Sequence, residues 1–157
     1  MFTGHDQTLV DQSLVNDGFF PDLNLSEFLS VYRIPAEYKS ELILDHLTMA
    51  VFSVNDELQD VKTHHISSGS DTLESVAGDS VGAAGQTKSY FIEQYKRAVY
   101  CLAKADLFDQ FVTFNRKDQA ESQANESDKI NNIWRAKSRQ AIKRILGLTA
   151  NVSVELL

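Results

Sequence analysis

Leu44, Leu47, Val51, Val54, Leu58 and Val61 recur at alternating spacings of three and four residues. That period places side chains along one side of a helix, and it predicts a single amphipathic helix over residues 36–65. At 1.5 Å per residue, about 30 residues make a rod of roughly 45 Å. Glu37, Lys39, Asp45, Glu57 and Lys62 fall on its other side and are expected in solvent. A second stripe runs through Phe91, Tyr95, Ala98, Leu102 and Ala105, with Val99, Phe108 and Val112 beside it. It predicts a helix over about 87–114. A third helix, over about 119–146, carries Trp134, Ser138, Ala141 and Ile145 on its buried edge. Gly147 stands where a helix C-cap needs left-handed backbone.

The remaining segments lack such a stripe. Residues 1–18 are polar, include Gly4 and Gly18, and are expected to form a flexible arm. The apolar cluster Phe19-Phe20-Pro21-Asp22-Leu23 stops at a proline, after which Asn24 or Ser26 can cap a short helix reaching about Tyr32. Pro35 then suits the first position of the next helix, where its missing N–H costs nothing. Residues 67–86, SSGSDTLESVAGDSVGAAGQ, hold four of the seven glycines and predict a long flexible loop. Val152, Val154 and Leu156 alternate in the final NVSVELL, the period of a strand, with no evident partner in the chain. The expected fold is all-α: three long helices and a short N-terminal one in a bundle over residues 19–150. Around it come the arm, the 67–86 loop and an extended tail at 151–157.

Composition narrows the class. The 157 residues suit one domain, and 43% hydrophobic with 24% charged residues is ordinary for a globular chain. Pro21 and Pro35 are the only prolines, which leaves room for long helices. Cys101 is alone, so no internal disulfide is available. No 18-residue apolar run occurs and the first residues lack the basic-then-apolar order of a signal peptide, so a soluble, cytosolic chain is expected. A net charge of −7 weighs against a strong sequence-independent hold on phosphates.

Reactive constellations are scarce. His64-His65 are adjacent on a helix, point in different directions and have no cysteine nearby, so they read as a surface helix end. His46 and His5 are isolated, and Cys101 beside Leu102 reads as a buried helical thiol without a base. No GxSxG, GxxxxGK[ST] or HExxH occurs, and the glycines at 78, 82 and 85 have no lysine in a phosphate-cradling position. Asp56-Glu57 read as solvated charge. No catalytic residue, metal ligand or cofactor is therefore expected. One basic concentration stands out: Arg135, Lys137, Arg139, Lys143 and Arg144 on the third helix. Cations there complement the helix dipole. They could also meet DNA or an acidic neighbour, although they spread over several helical directions.

Two segments carry a resemblance. One is Asp17-Gly18-Phe19-Phe20-Pro21-Asp22-Leu23, followed by a short helix and a long one containing Ser53-Val54-Asn55-Asp56-Glu57-Leu58. The other is Tyr95-Lys96-Arg97-Ala98-Val99-Tyr100-Cys101-Leu102-Ala103-Lys104-Ala105-Asp106-Leu107. In this order, with the Gly/Ser loop between them and NVSVELL behind, the chain from about residue 17 to 157 resembles the head-completion protein (GPL) family of P2-like phages. The resemblance implies a structural virion protein, added at the portal vertex after DNA packaging, that protects the genome from nuclease. By analogy with helical adaptors it also implies a homo-oligomeric, dodecameric ring between portal and neck or tail-joining proteins. Packaged DNA would lie nearby without being specifically bound, no membrane would be involved, and assembly would occur in the host cytoplasm. The acidic balance suits such a place, because a negatively charged lumen lets DNA slide past.

Within that expectation, Phe19, Phe20, Val152, Val154 and Leu156 are candidate assembly contacts, the tail by strand addition to a neighbour or else packed back on its own bundle. Two other classes remain open at this point: a small helical regulator or assembly chaperone that binds a partner through its heptad seam, and a nucleic-acid module using Arg135 to Arg144.

Overall fold

The computed structural model describes residues 12–115 and 121–147, without the side chains of 113–115 and 121–127. β1 (Ser13–Leu14) pairs antiparallel with β2 (Leu23–Asn24) and leads into α1 (Leu25–Val31). Then come α2 (Ser40–Glu57), α3 (Gln59–Ser67), a 3₁₀ turn (Leu73–Ser75), the hairpin β3 (Ser80–Ala83) and β4 (Gln86–Ser89), and the long helices α4 (Tyr90–Asn115) and α5 (Glu121–Ile145).

The all-α bundle expected from the periodicity is the fold, with α4 as its shared middle. The extensive helix contacts are α4 with α5 and α4 with α2. Both pairs run antiparallel. Ser138 on α5 donates to the Ala98 carbonyl while Arg135 reaches Asp106; Asn55 on α2 meets Tyr95 while His46 meets Gln110. Being packed on both flanks, α4 buries Tyr95, Ala98, Val99, Tyr100, Cys101, Ala103, Ala105 and Leu107. Its run of small residues admits the close approach of its neighbours, and the two tyrosines supply bulk.

Local chemistry sets the element ends. Asn24 caps α1 by accepting from the Glu27 amide, as expected. After α1 the Ile34 N–H returns to the Leu29 carbonyl at 3.0 Å, a Schellman closure that puts Arg33 at φ +50°. Gly147 takes φ +73° just beyond α5, the left-handed cap foreseen for it.

Five expectations are corrected. The single helix over 36–65 is two helices. Pro35 opens a turn closed by the Tyr38 amide, so α2 begins only at Ser40. Buried Leu58 (φ −99°, ψ 11°) interrupts the run, and α3 beyond it buries no residue. The seam itself holds: Leu47, Val51, Val54 and Leu58 are buried and Leu44 and Val61 lie against the core, with Ile43 and Ala50 joining them. Of the polar residues expected in solvent, Lys62 is half-buried against Asp17. Residues 67–86 are not structureless. Leu73 is fully buried in its 3₁₀ turn, held by a Thr72–Ser75 capping box, and the β3–β4 hairpin follows. Thr87–Ser89, expected as helix, are strand in that hairpin. Its crossing needs Gly82, where a Cβ would stand 2.3 Å from the Gln86 carbonyl oxygen. Finally, residues 12–18 are not an arm but part of the folded body. Residues 1–11, including His5, and the 151–157 tail lie outside the described residues.

Candidate assembly surfaces

The segment Asp17–Leu23 folds as a buckle over the bundle. The Asp17 carboxylate accepts from the Phe19 and Phe20 amides at 3.0 and 2.9 Å, so the chain turns tightly at Gly18 (φ +92°) and drives both rings inward. Phe20 stacks on Tyr95 with centroids 4.8 Å apart, and Phe19 meets Phe20 edge-on. The other Asp17 oxygen receives Lys62 of α3 at 2.8 Å. Burial raises the Asp17 pKa, but Lys62 and the two amides outweigh it and hold the carboxyl below its ordinary value. The Phe19 carbonyl accepts from the Leu73 amide, which fastens the 3₁₀ turn to the same buckle.

Beside it lies a closed ring of three polar side chains. Asn16 donates to the Tyr95 hydroxyl (2.8 Å), Tyr95 donates to Asn55 (2.6 Å), and Asn55 donates back to Asn16 (2.9 Å). Each group gives and takes, so a polar cluster at a buried tyrosine is satisfied within itself. Tyr100 does the same one turn on, with its hydroxyl on Glu27 at 2.9 Å and its ring stacked on Phe28. Burial pushes both phenols well above the ordinary tyrosine range.

Phe19 and Phe20 are therefore corrected as contact residues. They are 3% and 2% exposed, and their area is spent on the core, where the Asp17 turn places them. Val152, Val154 and Leu156 lie outside the described residues.

The basic residues of α5 divide three ways. Arg135 is half-buried and turned inward to Asp106 (2.9 Å) and Asp109, which raise its pKa against the effect of burial. It locks α5 to α4 and offers no outward charge. Lys137 lies 4.5 Å from the centroid of the Trp134 ring, which Lys104 of α4 also approaches at 4.2 Å. Lys104 further donates to the Tyr32 carbonyl at the end of α1. Arg139, Lys143 and Arg144 are exposed. The spread over several directions is as expected, and only these three of the five point freely to solvent.

Cys101 is the buried thiol anticipated: burial pushes its pKa up, away from nucleophile chemistry. His46 is hydrogen-bonded to Gln110. Among the described residues no cluster of three metal-ligating side chains occurs, and no helix is long and apolar enough to cross a membrane. A cleft of about 250 Å³ between α1 and α4 is lined by Glu27, Lys96, Arg97 and Tyr100 among others, a mixed-charge lining without a convergent reactive group.

What sequence reading missed is the outward side of the flanking helices. Met49 and Phe52 on α2 are 54% and 59% exposed, and Ile130 and Ile133 on α5 are 46% and 54% exposed. Their spacing of three residues is legible in the sequence, but it is weaker than the inward stripes of the same helices.

Comparison with known proteins gives these arrangements a context. Residues 14–157 match the family model described as phage head completion protein (GPL). A curated relative, the "Probable head completion/stabilization protein" of Haemophilus phage HP1 (strain HP1c1), is 27% identical over 118 residues, covering 75% of this chain and 76% of its own. No solved structure matches significantly.

Proposed function

From the premise that this chain belongs to the phage head completion protein (GPL) family, a family of structural virion proteins, we propose that it is the subunit that docks at the portal vertex after DNA packaging and seals the filled head. The observation that carries this reading is the extent of the family match, from Leu14 of β1 through the tail, which takes in every later described element of the fold to α5. A sealing subunit needs a rigid body and outward contact surfaces. The polar ring, the buckle and the Arg135 clamp supply the first, and the exposed faces of α2 and α5 supply the second.

In this reading the chain works as a homo-oligomeric ring between the portal and the neck proteins, without cofactor or catalysis, beside DNA but not specifically bound to it. The tail, which the family match includes, would dock Val152, Val154 and Leu156 on a neighbour by strand addition. Deleting residues 151–157 then abolishes incorporation into heads, and unchanged incorporation would remove the docking role. The principal test adds the purified protein to DNA-filled heads assembled without it and measures surviving DNA after nuclease treatment. Protection that saturates at a fixed copy number per head is expected. No protection, with no co-sedimentation, would overturn the sealing role.

A further inference from the structure

The solvent-facing sides of α2 and α5 are complementary. On α2, Glu41, Asp45, Met49, Phe52 and Asp56 fall at spacings of four, four, three and four, a stripe directly opposite the buried Ile43, Leu47, Ala50, Val51 and Val54. All five are exposed. The helix carries four carboxylates (Glu41, Asp45, Asp56 and Glu57) and no lysine or arginine. On α5, Lys129, Ile133, Ala136, Gln140 and Lys143 form the corresponding outer stripe, opposite buried Asn131, Ser138, Ala141 and Ile142. From Lys129 to Ile145 this helix has six cations and no carboxylate.

The two stripes share one plan: an apolar pair three residues apart, with charge four residues before it. Asp45 precedes Met49-Phe52 as Lys129 precedes Ile133-Ala136; on the far side Asp56 follows Phe52 by four residues, and Lys143 follows Ala136 by seven, one turn further on. None of these charged side chains takes part in an ion pair among the described residues. Asp56 and Glu57 also sit at the C-terminal end of α2, where carboxylates run against the helix dipole.

We propose that the outer face of α2 docks on the outer face of α5 of a second copy of this chain. The faces belong to helices that flank α4 and turn away from it, so the contact is head-to-tail: each copy offers one face to each neighbour. Such heterologous contacts generate rings when the rotation closes. The idea deepens the ring reading above and rests on it. A single helix-on-helix contact is small beside a stable interface. The isolated chain therefore stays mostly monomeric, and the ring closes where the portal gathers copies and linkage multiplies weak contacts.

The test uses Phe52→Cys and Ile133→Cys in one chain, added to DNA-filled heads and then mildly oxidised. Both positions are exposed, and native Cys101 is buried and does not compete. A ladder of cross-linked multimers is expected from the double variant and none from either single variant. In parallel, Asp45→Lys with Asp56→Lys raises the concentration needed for nuclease protection about tenfold or more. Adding Lys129→Glu with Lys143→Glu to the same chain restores it. Protected heads that yield only monomers on oxidation would overturn the interface while the sealing role stands. Heads that neither the wild type nor the double variant protects would overturn the sealing role instead. The same oxidation of the concentrated free protein then decides the interface, and monomers alone would overturn it too.

Discussion

Replacing Tyr95 by Phe deletes one oxygen from the ring Asn16–Tyr95–Asn55 and leaves the aromatic stack on Phe20 in place. The hydroxyl accepts from Asn16 at 2.8 Å and donates to Asn55 at 2.6 Å, at a residue with no exposed surface. Two neutral hydrogen bonds at about 1 kcal/mol each set the loss near 2 kcal/mol. Asn16 keeps its bond to the Pro21 carbonyl and Asn55 keeps its bond to Asn16, which guards against a larger figure. For a chain of this size that corresponds to a melting point lower by about 4–8 °C. Urea unfolding supplies the measurement, with Asn55→Ala and the double variant completing a cycle. The ring predicts coupling of about 1 kcal/mol between Tyr95 and Asn55. Hydrogen exchange adds a local readout, since the Leu25 amide, bonded to the Gln12 carbonyl, should exchange faster once β1 loosens. A loss below about 0.5 kcal/mol, or additive singles, would refute the idea that this ring fastens the N-terminal segment.

Asp17 has its pKa lowered by Lys62 and two amides against the effect of burial, so its stabilisation is fully present above the unfolded carboxyl value and is lost as pH falls through the folded one. The stability gap between wild type and Asp17→Asn should accordingly be widest at neutral pH and narrow in acid, as denaturant titrations at several pH values would show. Arg33 occupies left-handed backbone at a Schellman position that favours glycine. Arg33→Gly should raise stability by about 0.5–1 kcal/mol by urea unfolding, strain relief exceeding the added chain entropy. Leu73→Ala should cost about 3 kcal/mol, a core-sized loss from the middle of a Gly/Ser-rich connection; a near-neutral result by thermal unfolding would mean that the connection does not pack.

The parts of the fold written in helical periods were legible. The α2 seam, the α4 stripe, Trp134 and Ser138 on the inner edge of α5, the Asn24 cap and the Gly147 stop all follow from spacing or from backbone chemistry. The errors arose where tertiary contacts act without a local signal. Leu58 interrupts a helix with neither glycine nor proline nearby, because past it Val61 alone continues the apolar stripe. Leu73 is one leucine among serines and glycines, and its burial depends on distant partners, among them the Phe19 carbonyl that accepts from its amide. Phe19 and Phe20 read as a contact surface in the sequence because the Tyr95 ring that Phe20 stacks on lies on α4, far along the chain. For the candidate surfaces, the cations of α5 were visible in sequence. That Arg135 is consumed by Asp106 and Asp109 was not, since it depends on how two helices align.

The buckle also constrains the order of events during synthesis. Residues 12–24 leave the ribosome before their hydrogen-bond partners, which include Asn55, Lys62, Leu73, Tyr95 and Tyr100, the last two 79 and 76 positions downstream of Asn16 and Asn24. Until α4 has emerged, Phe20 lacks the Tyr95 ring it stacks on and Asn16 has no completed hydrogen-bond circuit. The nascent chain must therefore carry the Phe19-Phe20 cluster without its final partner until α4 has been made. Folding then falls to one late closure, so partly made chains cannot present a finished surface to an assembling particle.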